Sequence, residues 1–234
     1  MSERGPFGVR ERSGDEPSPA GVPPPPPPAP PAGRSTVTWI VGVAVVFALA
    51  YITLNTVRTE APGSRGVEVG SRLPPFAAPL ALSGLGGDAN LATEPGQGQQ
   101  GGRPACEVRG PEILNSCELV ERGPVVLAFV ATRSEQCVRQ VDALERLRAR
   151  YPDVGFAAVA IRGSRDELRA VIRRRGWRLP VAYDHDGGVA NAYAVAICPT
   201  MTFAYRGGRV EGTALTLLEG APLRERIERI RRAP

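Results

Sequence analysis

From residue 125 onward, apolar and polar positions fall into blocks of strand and helix length. Val125 to Val130 is an unbroken apolar run, the pattern of a strand buried on both faces. Glu135 to Arg150 then places Val138, Val141, Leu144 and Leu147 at helical spacing. Val154 to Ile161 is a second apolar strand. Ser164-Arg165-Asp166-Glu167 has the form of a capping box, predicting a helix that buries Leu168, Val171 and Ile172 and stops at Gly176. Leu179 to Tyr183 reads as a short strand, followed by a turn over Asp184 to Gly188 and a small helix through Tyr193. Met201 to Tyr205, the turn Gly207-Gly208 and Arg209 to Ala214 read as a hairpin. A basic amphipathic helix over Pro222 to Arg232 directs Leu223, Ile227 and Ile230 inward. The order β-α-β-α-β-α-β-β-α predicts an α/β domain with a central mixed sheet flanked by helices.

The chain before this block is organised differently. Residues 1–36 hold the run Pro23 to Pro28 and few apolar side chains, too little buried surface to offset ordering entropy, so a disordered Pro-rich tail is expected. It reads as a spacer, with polyproline II recognition by a partner as the alternative. Between Arg34 and Arg58 there is no charged residue, and Val37 to Leu54 is almost wholly apolar. Eighteen helical residues rise about 27 Å, close to the hydrocarbon thickness of a bilayer. Trp39 and Tyr51 stand near the ends, where amphipathic rings favour the interface. A single transmembrane helix over 37–56 is therefore expected. A cleaved signal peptide is the competing reading, since Ala48-Leu49-Ala50 resembles a small-x-small site, but the leader is long and apolar residues continue past it. Residues 57–72 read as a linker and 73–234 as the folded domain, with a flexible Gly/Gln-rich insertion at 84–104.

Charge adds little. The formal net charge is +5, and the tail's four Arg and four acidic residues cancel, so the excess lies after the apolar segment. No aromatic-plus-Arg stacking surface accompanies it, which argues against nucleic acid as a partner. Arginine flanks both ends of the apolar segment, so the positive-inside rule does not set the orientation. The four cysteines, all after it, do: their even number suits an oxidising compartment. The expected location is a cell membrane, single-pass, with the C-terminal domain extracytoplasmic.

Two cysteines lie where chemistry is expected. Cys137 is about one turn inside the helix after the first strand, where the dipole favours a thiolate; Arg133 and Arg139 are close in sequence. Ser134 is a favoured N-cap, expected to accept an amide of the first turn. Cys198 stands before Pro199 and Thr200. Cys106 and Cys117 bound a short loop-like stretch and are expected to form a structural disulfide, with a resolving thiol on a mobile loop as the alternative. The one histidine, His185, sits in the turn Asp184-His185-Asp186-Gly187; it offers Ser134 no base and reads as a solvated turn residue. That turn has no cysteine or second histidine to complete a metal site. Neither metal nor cofactor is expected.

The order of elements and three motifs resemble the thioredoxin-like superfamily, specifically its membrane-anchored TlpA-like/redoxin branch, over residues 69–232. Gly70 to Leu82 is similar to that branch's proline-punctuated lead-in, G-x-x-x-P-x-F-x-L. Val125 to Cys137 is similar to V-V-L-x-F-x-A-T-x-C-x-x-C, and Cys198-Pro199-Thr200 before the hairpin to the cis-proline loop. Two departures stand out. The place of the nucleophilic first cysteine is Ser134, and the acid that many members carry six residues earlier would fall at Ala128. The resemblance implies a bacterial thiol-disulfide exchange protein acting on extracytoplasmic client proteins or a redox partner, with Ser134, Pro199 and Thr200 at the substrate-binding face. It also implies a cis bond before Pro199, a loop packed beside the helix start, and a non-standard catalytic pair of Cys137 with Cys198. Two inert thiols, and with them a redox-inactive protein-binding module, are the alternative. The related peroxiredoxin pattern P-x-x-x-T-x-x-C does not fit, because Thr132 stands five residues before Cys137.

Overall fold

The computed structural model describes residues 36–58, 65–97 and 102–232. The Pro-rich tail therefore lies outside the described residues, but for Thr36, as do parts of the linker and of the Gly/Gln-rich insertion. The chain divides into two units, residues 1–58 and 59–234.

Among its described residues the first unit forms a helix, α1 (Thr36–Arg58), 23 residues long. Its side chains are described over 39–51, and most are exposed: Trp39, Phe47 and Tyr51 each present about seven-tenths of their surface. Among the described residues, no helix is long and apolar enough to cross a membrane.

The second unit begins with two three-residue strands, β1 (Ala77–Pro79) and β2 (Ile113–Asn115), paired antiparallel. Helix α2 (Ser116–Arg122) follows. The block of alternating elements comes next: β3 (Val125–Ala131), α3 (Glu135–Arg148), β4 (Gly155–Arg162), α4 (Arg165–Arg175), β5 (Val181–Tyr183), α5 (Gly188–Ala192), β6 (Thr200–Ala204), β7 (Val210–Ala214) and α6 (Gly220–Arg232). The five-stranded sheet has the order β5-β4-β3-β6-β7. β3 runs parallel to β4 and antiparallel to β6, so the sheet is mixed, as the sequence predicts.

The apolar run of β3 takes the centre because both of its faces are covered. Val126, Ala128 and Val130 join the core under α3, α4 and α6, which contribute Val141, Leu168 and Ile227 among others. Val125, Leu127 and Phe129 point the other way, against Phe76, Leu114 and Tyr193. Alternation along one strand thus feeds two cores. Helix α4 carries the predicted capping box between Ser164 and Glu167, and Gly176 closes it at φ 71°, a left-handed position that suits glycine.

Three expectations are corrected. Cys117 is not in a loop but in α2, where the Asn115 side chain caps the helix by accepting from the amides of Cys117 and Glu118. Residues 89–92 are not free within the insertion. Ala89, Asn90 and Ala92 are buried, and Asn90 exchanges backbone hydrogen bonds of 2.8 and 2.9 Å with Ala77. Ser134 occupies the N-cap position of α3 without a side-chain cap bond.

Candidate functional site

The site forms where β3 ends and α3 begins. Thr132 and Arg133 make the turn, and Glu167 on α4 holds it: Arg133 donates to the Glu167 carboxylate at 2.7 Å, and the Thr132 hydroxyl at 3.4 Å. The Arg133 guanidinium, together with the Ser164 amide, holds the Glu167 carboxyl below its ordinary pKa. The first intrahelical bond of α3 is Val138 N–H to the Ser134 carbonyl, 3.0 Å. The amides before it therefore lack an intrahelical acceptor, and Cys137 sits among them.

Helix α3 is fixed from both sides, which fixes Cys137. On one side Arg175 bridges Glu135 and Asp142, and the Trp177 indole donates to Asp142 at 2.6 Å. On the other, the fully buried Gln140 exchanges two hydrogen bonds with the backbone of Leu218, at 2.9 and 2.8 Å. Gln140 escaped the sequence reading, although a polar residue among Val138, Val141 and Leu144 is the signal that would have found it. Glu145 anchors the far end. Burial pushes its carboxyl upward, but the amides of Leu179 and Arg178 and the Arg148 guanidinium outweigh that and leave it below the ordinary range.

β6 supplies the second half of the site. Its first residue, Thr200, pairs with Phe129 of β3, so the segment before it lies at the same end of these strands as the start of α3. The Cys198-Pro199 peptide is cis. Cys137 and Cys198 are joined in a disulfide with Cα atoms 5.6 Å apart. Their environments differ: Cys137 is fully buried, whereas Cys198 is half-buried beside the exposed Ile197. Cys198 Sγ lies 3.2 Å from the Phe129 carbonyl oxygen.

Of the residues expected at the substrate-binding face, Ser134 is half-buried and lines an open pocket of about 600 Å³ with Arg133, Arg162 and Gly163. Pro199 and Thr200 are buried, and the Thr200 hydroxyl donates to the Ile197 carbonyl at 2.7 Å. That bond ties the Thr200 side chain to the loop that carries Cys198.

The other residues singled out in the sequence lie elsewhere. Cys106 and Cys117 form a second disulfide, Cα atoms 5.4 Å apart. Asn115 donates to the carbonyls of Ala105 and Val108 while it caps α2, and Arg109 donates to the Cys106 carbonyl and pairs bidentately with Glu121. His185 is exposed, 2.8 Å from Asp88. Asp184 is buried and accepts from the amides of Val189 and Ala190; burial raises its carboxyl above the ordinary value despite those bonds. Among the described residues, no cluster of His, Cys, Asp or Glu is arranged to hold a metal ion.

Residues 112–212 match the AhpC/TSA family. No curated protein matches the chain at a significant level. Three solved structures resemble it along most of their length. A Chlorobium tepidum protein assigned as the thiol:disulfide interchange protein DsbE is 16% identical, with TM-score 0.54 over 70% of this chain and 98% of its own. The MTB protein DsbF is 18% identical, with TM-score 0.51 over 70% and 99%. A Bacteroides thetaiotaomicron protein assigned as a protein disulfide isomerase is 14% identical, with TM-score 0.54 over 73% and 95%. The fold is thioredoxin-like. At this identity the fold is what the chain shares with them. Within it, Ser134 stands at the N-cap of α3 and Cys137 in the first turn of that helix.

Proposed function

We propose that the chain is a membrane-anchored thiol-disulfide exchange protein of the TlpA-like kind, its domain extracytoplasmic and its working pair Cys137 and Cys198. The observation that carries this reading is the pairing itself. The cysteine left on α3 is matched by one on the proline loop, above the shared end of β3 and β6. The chain thus keeps two sulfurs at the site without the usual Cys-x-x-Cys. The anchor rests on the apolar sequence of α1, whose 23 residues would rise about 35 Å. Peroxide chemistry is not part of the reading, because Thr132 is out of register with Cys137 and its hydroxyl is directed to Glu167.

A second reading, a redox-inert module that binds an extended peptide, is favoured by Ser134 standing where the attacking thiol would be. The two separate in an exchange assay on the full chain in detergent, with a disulfide-bonded peptide as substrate and glutathione as reductant. Exchange predicts that C198S abolishes the acceleration seen with wild type and that C137S lowers it. If the variants match wild type, the binding module is the better account.

A further inference from the structure

We infer that Cys198, on the proline loop, is the sulfur that exchanges with clients, and that Cys137, on the helix, is the resolving and leaving sulfur. This inverts the roles that the start of a redox helix would suggest, and it rests on the exchange reading above. Two independent features of the pair support it.

The first is access. Thiol-disulfide exchange needs the incoming sulfur in line with the bond it breaks, so the attacked atom must face solvent. Cys137 has no exposed surface, packed with Val138, Val141 and Val130 in the core under α3. Cys198 is only partly covered, and its neighbour Ile197 is 48% exposed, an apolar flank against which a client segment can lie. The second is the leaving group. Whichever sulfur is not attacked departs with the electron pair, and departure is faster the better its thiolate is stabilised. Cys137 lies in the first turn of the 14-residue α3, among amides that no side chain caps. The one acidic residue of that turn, Glu135, is neutralised by Arg175.

In the oxidising direction, a client thiolate attacks Cys198 Sγ. The Cys137–Cys198 bond breaks, a client–Cys198 bond forms, and the electron pair leaves on Cys137 Sγ. A second client thiolate then attacks the client's own sulfur in that mixed disulfide and expels Cys198 as thiolate. The client loses two electrons and the pair gains two. In the reducing direction, the Cys198 thiolate opens a client disulfide, and the Cys137 thiolate attacks Cys198 Sγ to release the client.

The test uses full-length C137S and C198S, each with Cys106–Cys117 intact, incubated with oxidised glutathione and followed by intact mass. C137S is expected to gain one glutathione at Cys198 and release one glutathione thiolate. C198S is expected to react slower by on the order of 100-fold, since a buried thiol reacts only through local opening. Should either variant fold poorly, the same order is read on wild type reduced under native conditions and pulse-alkylated, where Cys198 must label before Cys137. If C198S reacts as fast as C137S or faster, the role assignment is overturned while exchange stands. If neither forms an adduct, the exchange reading fails and takes this inference with it.

Discussion

The two disulfides have nearly the same Cα separation, 5.4 and 5.6 Å, yet sit in opposite surroundings. Cys106–Cys117 spans 11 residues of one local frame that is already tied by Asn115 and the Arg109–Glu121 pair. Cys137–Cys198 spans 61 residues and joins a helix start to a loop from the far side of the sequence. Loop-closure entropy alone would make the longer bridge the more stabilising, by about 4 against about 3 kcal/mol. What suits it to the proposed exchange is different in kind: one sulfur partly covered, the other buried at a helix N-terminus. Chemistry at a cysteine pair follows from the asymmetry of its two sulfurs more than from the distance between them.

Mutations separate the two bridges. The largest effect is expected at the long bridge, where C198S should lower exchange by at least about 100-fold. Opening the short bridge with C106S should leave exchange near wild type but cost about 3 kcal/mol of stability, read from urea unfolding. Exchange falling equally in both would erase the distinction. Next, N115A should destabilise the frame around the short bridge by about 2 to 3 kcal/mol, because a buried side chain that joins two amides and two carbonyls is lost, again without slowing exchange. S134C probes the long bridge from the helix side. It restores Cys-x-x-Cys spacing, and peptide mapping should then find Cys137 shared between residue 134 and Cys198, leaving a fraction of Cys198 as free thiol.

The smallest effect is a pH dependence. Arg133 and the Ser164 amide hold Glu167 below its ordinary pKa. A depressed carboxyl stabilises the fold above its unfolded value and loses that contribution as pH falls through its folded value. Thermal midpoints measured from pH 6 down to about 3 should therefore drop less steeply for E167Q than for wild type. Parallel curves would show that the turn before Ser134 does not depend on this pair.

The alternating block from β3 to α6 was legible in the sequence because each element carries its own period and its own stop, as in Ser164 and Gly176 around α4. The bond between Cys137 and Cys198 was implied by the family resemblance, since spacing alone cannot bring residues 61 apart together. The short strands β1 and β2 were not legible. Unlike the equally short β5, they stand outside the alternating block and exist through pairing with each other and, at Ala77, with Asn90. Helix α2 was missed for a related reason, although Asn115 three residues before Glu118 is an N-cap signal in plain view. Ser134 misled in the opposite direction: the residue type fits a cap, but the side chain does not make the bond. Pro199 and Thr200 are both buried, which residue identity alone could not show.

The most direct measurement is a glutathione redox titration of the full chain, with both bridges followed by non-reducing peptide mass spectrometry. Cys137–Cys198 is expected to open at a less reducing poise than Cys106–Cys117, against the order that loop entropy would give. Should Cys137–Cys198 resist reduction to the same poise as the short bridge, or to a more reducing one, it is a structural staple and the exchange reading is contradicted.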